Sequence, residues 1–249
     1  MRRGRQEAAM RAIRYIFAAV LALSMAAPAA AQSQDVDLDG ADGTTLKATY
    51  MSPGRPGPAM LLVHQCNMDR KSWSGIASQL VDAGVHVLTL DLRGFGDSGG
   101  PPLREIGFPA FMQQAPGDVD VAFDYLAGRE GVDAERVGAG GASCGAMLTA
   151  DLAARRDVEA LMLLSGPPSE AAVANMASSS DLAVFAAAAT GDTVTPGVAD
   201  ALQGAVDGSG HPQSTAKIYD GPEHGLPMFD KNPDLEPALV AWLKAELLQ

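Results

Sequence analysis

Cysteine and basic side chains are both scarce in this chain. Two cysteines, Cys66 and Cys144, stand in 249 residues, which excludes a disulfide scaffold and allows at most one intramolecular bridge. Lys and Arg number 18 against 30 Asp and Glu, a formal net charge of −12. Such an acidic surface repels nucleic acid and anionic lipid, so neither is an expected partner. No group of residues has metal-ligand spacing and no phosphate loop appears, so no metal and no cofactor are expected. Asp35, Asp37, Asp39 and Asp42 come nearest. Their spacing fits no defined calcium loop and reads as a solvated hairpin. Internal repeats and long low-complexity linkers are also missing.

The front of the chain reads as a targeting signal. Arg2, Arg3, Arg5, Arg11 and Arg14 precede an apolar run over residues 16–27, and Ala29-Ala30-Ala31 follows as a small-residue cleavage site. That order is the secretory pattern. The run falls short of the ~20 apolar residues that a membrane span needs, and Pro28 interrupts its end. No cysteine lies near the cleavage point, so a lipid anchor is not expected. Residues 1–31 are thus expected to be a signal peptide (Met10 being an alternative start) and 32–249 a single domain. Without the leader's five Arg and Glu7, 13 basic side chains face 29 acidic ones, a net charge of −16. The expected location is periplasmic or secreted, with no membrane contact after cleavage.

Along the remaining residues, strand and helix patterns alternate, which signals a mostly parallel sheet with helices on both faces. Residues 36–38 and 45–50 flank a Gly/Asp-rich turn and read as an opening hairpin. A continuous apolar strand is expected at 59–64, further strands at 85–90, 159–164 and 182–189, and a last strand at 216–219. Helices are expected at 73–83, ended by Gly84, and at 119–127, 170–177, 198–206 and 237–248. Residues 91–115, rich in Gly and Pro, read as a long functional loop. The short stretch between Leu164 and Leu182 leaves no room for a large lid.

The most informative stretch is Gly141-Ala142-Ser143-Cys144-Gly145, a G-x-S-x-G motif. The small apolar run 136–140 precedes it as a central strand, and residues 146–153 continue as a helix. Strand, turn, helix is the context in which a serine is presented on a strained elbow. The bland alternative is a tight glycine turn. A serine hydroxyl is a weak nucleophile until a base takes its proton, so a histidine is required. Of the four histidines, His224 follows Asp192 in sequence and sits just after the last expected strand. His211 is the spare candidate, His64 precedes a loop, and His86 lies inside a strand pattern. Gly96-Asp97-Ser98-Gly99-Gly100 imitates a trypsin-type serine motif, but the alternating pattern behind it makes it a turn.

Read in order, these segments resemble the α/β-hydrolase family over nearly all of residues 35–249. Leu61-Leu62-Val63-His64-Gln65-Cys66 looks like the strand running into the oxyanion loop. Asp91-Leu92-Arg93-Gly94-Phe95-Gly96-Asp97-Ser98 resembles the D-x-R-G-x-G-x-S loop, Gly191-Asp192-Thr193-Val194-Thr195-Pro196 the acid loop, and Glu223-His224-Gly225 the histidine turn. The resemblance implies an eight-stranded α/β-hydrolase fold without a large lid, nearest to the small dienelactone-hydrolase-like members. One departure is Gln65, where the family usually has Gly.

The resemblance further implies a Ser143–His224–Asp192 triad, with backbone N–H groups of Cys66 and Cys144 as the oxyanion hole. The expected activity is exported serine hydrolysis of an ester-type bond in a small-molecule substrate. An acyl peptidase or amidase of the same fold, or a non-catalytic binding member, are the alternatives. Arg93 and Asp97 are expected to brace their loop, while Trp73 and Met112 either line a pocket or pack in the core. The pocket is expected to be an open cleft shaped by residues 91–115 and the turn at 226–229. In this fold Cys66 and Cys144 would face each other across the site floor, either bridged or as two packed thiols.

Overall fold

Apolar strands that must be covered on both faces organise the molecule. The computed structural model describes residues 32–249, and the expected signal peptide, residues 1–31, lies outside the described residues. Among them, β1 (Gln32–Asp39) and β2 (Thr45–Ser52) form the opening hairpin, longer at both outer ends than the sequence pattern suggests. β2 pairs antiparallel with β4 (His86–Leu90). The rest of the sheet is parallel: β3 (Gly57–Val63), β5 (Val132–Ala142), β6 (Ala160–Leu164), β7 (Ala183–Ala189) and β8 (Thr215–Tyr219). The eight strands lie in the order β1-β2-β4-β3-β5-β6-β7-β8.

Side-chain alternation along β3 shows how both faces are filled. Leu61 and Val63 join one apolar cluster, Met60 and Leu62 the other, as a pleated strand buried on both sides requires. The first face is covered by α2 (Leu103–Ala127), α3 (Cys144–Ala153), α4 (Glu170–Ser178) and α5 (Val198–Asp207). The second is covered by α1 (Ser74–Ala83), the short α6 (Met228–Lys231) and α7 (Leu235–Leu247). Gly84 ends α1 in the left-handed region at φ 108°, as its position there suggests. Only α4 stands between β6 and β7.

One expectation is corrected. The loop after β4 ends at Pro102, because residues 103–115 are helical and belong to α2. Gly107, at φ 76° and ψ 158°, interrupts that helix, and Pro109 lies in the turn that restarts it, where a missing N–H costs little. Pro116 does sit inside and forgoes one hydrogen bond. The buried face made by Phe111, Ala115, Val119, Ala122 and Leu126 holds the helix together across it.

Topology now locates the crevice. From β3 the chain winds outward through β4, then returns to β5 on the other side of β3 and winds the opposite way. Loops leaving the carboxyl ends of β3 and β5 therefore part, which is where open α/β sheets bind ligands. Cys66 follows β3 and Ser143 follows β5.

Candidate active site

Ser143 occupies the elbow between β5 and α3 with φ 54° and ψ −123°, a backbone region that side-chain-bearing residues enter at roughly 1–3 kcal/mol. The flanking glycines make the turn possible. A Cβ on Gly141 would strike the Gly145 backbone, and one on Gly145 would strike the Val63 carbonyl. The Ser143 N–H donates to the Leu164 carbonyl at 2.7 Å, fixing the elbow to the neighbouring strand.

The structure brings the three residues of the expected triad together. Ser143 Oγ lies 2.7 Å from His224 Nε2, and His224 Nδ1 lies 2.6 Å from Asp192 Oδ2. A carboxylate only accepts, so Nδ1 carries the proton and Nε2 is left to accept from the serine hydroxyl. Asp192 is 4% exposed. Its Oδ1 accepts the N–H groups of Val194 and Thr195, both at 2.9 Å, so the acid loop folds around its own carboxylate. Each member sits just beyond the carboxyl end of a different strand: β5, β7 and β8.

The other histidines are used differently. His64 is buried, donates from Nδ1 to the Gln65 carbonyl at 2.8 Å and accepts the Leu92 N–H at Nε2, 3.1 Å away. Burial pushes its pKa below the ordinary histidine value, so it ties two loops together as a neutral ring. His86 bonds Tyr50 and the Arg55 carbonyl at the amino edge of the sheet. His211, the spare candidate, lies in the loop between α5 and β8, before the amino end of β8, where its Nδ1 accepts the Gln213 N–H at 3.2 Å.

Two residues hold the histidine turn, and sequence reasoning assigned this task to neither. Gln65 Oε1 accepts the Leu226 N–H at 2.9 Å while its Nε2 donates to Asn67 Oδ1 at 2.6 Å. Ser165 Oγ accepts the Gly225 N–H at 2.9 Å. Gly225 sits at φ 66°, and a Cβ there would collide with Gln65 Oε1. Gln65 was visible as a departure from the family pattern; Ser165 gave no local signal beyond its place after a strand.

Cys66 and Cys144 also meet. Their sulfurs lie 2.14 Å apart and their Cα atoms 5.8 Å apart, within the span a bridge allows. Their backbone N–H groups, one in the turn after β3 and one opening α3, donate to no protein acceptor among the described residues.

Beside this centre, an open cleft of about 510 Å³ runs along Cys66, Met68, Phe95, Leu103 and Arg104. The wall comes from the turn after β3 and from residues 94–96 and 102–104. The turn at 226–229 does not line it: Leu226 and Met228 are buried in the second apolar cluster. Trp73 is fully buried and Met112 packs against the first cluster, so both serve the core.

The loop after β4 is braced by two buried arginines. Arg93 donates to Asp118 and Asp42, and Asp118 chiefly holds its guanidinium charged by raising its pKa. Arg70 reaches Asp91 and Asp97, which lowers the Asp97 pKa. Ser98 Oγ donates to the Asp91 carbonyl at 2.6 Å and accepts the Lys47 N–H at 2.7 Å, so the Gly-Asp-Ser-Gly-Gly stretch is a turn. Asp35 and Asp37 pair with Thr49 and Lys47.

Residues 58–203 match the model of the alpha/beta hydrolase fold family. The chain belongs to that family. Among solved structures, this α/β-hydrolase resembles the Pyrococcus furiosus esterase Pf2001, with a TM-score of 0.69 at 16% identity over 87% of this chain and 92% of that one. A predicted CIB-like hydrolase from Thermoplasma acidophilum gives 0.67 at 17% identity over 87% and 100%. A cold-adapted esterase from an Arctic intertidal metagenomic library gives 0.64 at 20% over 87% and 94%. These likenesses concern the fold. An uncharacterized protein of Mycobacterium tuberculosis is 34% identical over 134 residues, 53% of this chain and 45% of that protein. The matched segment therefore spans under half the length of that relative.

Proposed function

We propose that this α/β-hydrolase is an exported serine esterase that cleaves small esters through an acyl-enzyme. The observation that carries the proposal is the hydrogen-bonded line from Ser143 Oγ through His224 to Asp192, 2.7 and 2.6 Å per step. In the first half-reaction Ser143 Oγ attacks the ester carbonyl as His224 Nε2 takes its proton. Asp192 holds the Nδ1–H tautomer and stabilises the imidazolium that forms. The carbonyl oxygen, now negative, is received by the Cys66 and Cys144 amides. Collapse expels the alcohol, which takes the proton from His224. Water then repeats the sequence on the acyl-enzyme and frees the acid.

The cleft supports small or projecting substrates: it is open, and among the described residues no inserted domain covers it to make a long apolar groove. Residues 1–31 serve in this reading as a removable signal peptide, leaving residues 32–249 as the working domain. No described helix is long and apolar enough to cross a membrane.

A panel of p-nitrophenyl esters with graded acyl chains tests the assignment. Turnover of the short-chain members, declining with acyl length, is expected. Absence of turnover across the panel, or a strong long-chain preference with interfacial activation, contradicts it. Amino-terminal sequencing of exported protein is expected to begin at Gln32.

A further inference from the structure

The two cysteines hold the two segments that supply the oxyanion amides. Cys66 lies in a turn closed by the Asn67 and Met68 N–H groups donating to the Gln65 carbonyl. Cys144 is the first residue of α3, immediately after Ser143. Their Cα atoms are 5.8 Å apart across 78 residues of sequence. Catalysis by an oxyanion hole depends on donors already aimed when charge develops. A covalent tie between the two donor-bearing residues fixes their separation at that point. The two residues also differ in access: Cys144 is 2% exposed, whereas Cys66 is half-buried and lines the open cleft.

We infer that Cys66 and Cys144 form a bridge that positions the oxyanion donors, and that a dithiol entering the cleft opens it and slows acyl transfer at Ser143. This rests on the serine-esterase reading. The chemistry is thiol–disulfide exchange. A thiolate of the dithiol attacks Cys66 Sγ, forming a mixed disulfide there and breaking the Cys66–Cys144 bond, and Cys144 leaves as a thiolate that takes up a proton. The second thiol of the reagent then attacks its own sulfur in the mixed disulfide and releases Cys66. Two electrons and two protons pass to the protein, and the dithiol ends as a cyclic disulfide. Gln65 still ties its loop to Leu226 after reduction, so the loop loosens while the fold persists. The bridged side chains of Cys66 and Cys144 are thus positioning groups for the backbone amides of the same two residues.

The test uses the full chain. Thiol counting on denatured, unreduced protein should find no free thiol; two per chain overturn the bridge whatever the activity. Protein reduced with dithiothreitol and freed of it under nitrogen should lose about tenfold to a hundredfold in kcat, with KM little changed. Phenylboronic acid, which forms a tetrahedral adduct with an active serine, should bind weaker by the same factor as kcat/KM falls. A loss of folded protein lowers the number of active sites but leaves that inhibition constant alone. The Cys66→Ser/Cys144→Ser double variant should match the reduced protein and ignore dithiothreitol. Unchanged kcat and boronate affinity on reduction overturn the redox role only. No ester turnover and no fluorophosphonate adduct in oxidised protein overturn the esterase reading beneath it.

Discussion

His224 and His86 sit at opposite edges of the same sheet, and each ring spans two partners. At the carboxyl edge, His224 lies between the Asp192 carboxylate and the Ser143 hydroxyl. At the amino edge, His86 Nδ1 accepts from the Tyr50 hydroxyl at 2.6 Å and Nε2 donates to the Arg55 carbonyl at 3.0 Å. Tyr50 lies at 5% exposure and His86 at 1%, and burial lowers the His86 pKa. The rings are chemically identical; the partners decide what each can do. A carboxylate on Nδ1 leaves Nε2 as a base aimed at a hydroxyl and stabilises the charge the ring will carry. A hydroxyl and a carbonyl consume both nitrogens of His86 and offer no countercharge. Strain follows the same division: Ser143 and Ser165, the non-glycine residues with positive φ among those described, both lie at the carboxyl edge.

The sharpest way to break this comparison is to remove each ring in turn. His224→Ala should lower kcat/KM for a short p-nitrophenyl ester by about 10⁴ to 10⁶, while His86→Gln should leave it within about threefold. Activity surviving in His224→Ala would return the role to another base. Asp192→Asn comes next, with an expected loss of about 10⁴, because an amide donor on Nδ1 enforces the wrong tautomer. Retained activity there would mean that Asp192 only shapes its loop.

A smaller effect is expected at Gln65. Gln65→Leu removes the acceptor for the Leu226 N–H, costing about 1–2 kcal/mol in unfolding free energy and displacing the histidine turn. Gln65→Glu keeps the acceptor and should recover most of the ester activity in steady-state assays. Equal loss in both variants would deny the clamp.

How much of this was legible from residue order follows a physical line. Strand positions were readable because β3, β6 and β7 are buried on both faces and are therefore unbroken apolar runs. Ser143, Asp192 and His224 were readable because the elbow and the strand ends restrict local residue choice. α2 was misjudged because the Gly and Pro content of residues 91–115 read as a loop, whereas tertiary burial of Phe111 and Ala115 keeps the helix. The Ser165 and Gln65 anchors join segments 60 and 161 residues apart, so no local pattern announces them.

The smallest expected effect concerns pH and stability. His64 and His86 have folded-state pKa values below the ordinary 6.5 because burial disfavours their charged forms. Unfolded chains then bind more protons, so stability is complete above about pH 6.5 and falls as pH drops below it. Glu159 and Glu246 oppose this, since burial raises their pKa values and acidification relieves them from their upper titration range downward. Thermal melts at about pH 7.5 and about pH 5.5 should show a lower Tm at the acidic value. His86→Gln should show a smaller drop. An equal drop would assign the loss to other groups.

The central claim is that Ser143 is a nucleophile made reactive by His224 and Asp192. Intact-mass and peptide mapping after incubation with a fluorophosphonate probe tests it most directly. The account predicts one adduct per chain, on Ser143, absent from Ser143→Ala and strongly slowed in His224→Ala. A folded wild-type protein that takes no adduct, or takes it on another residue, would contradict it.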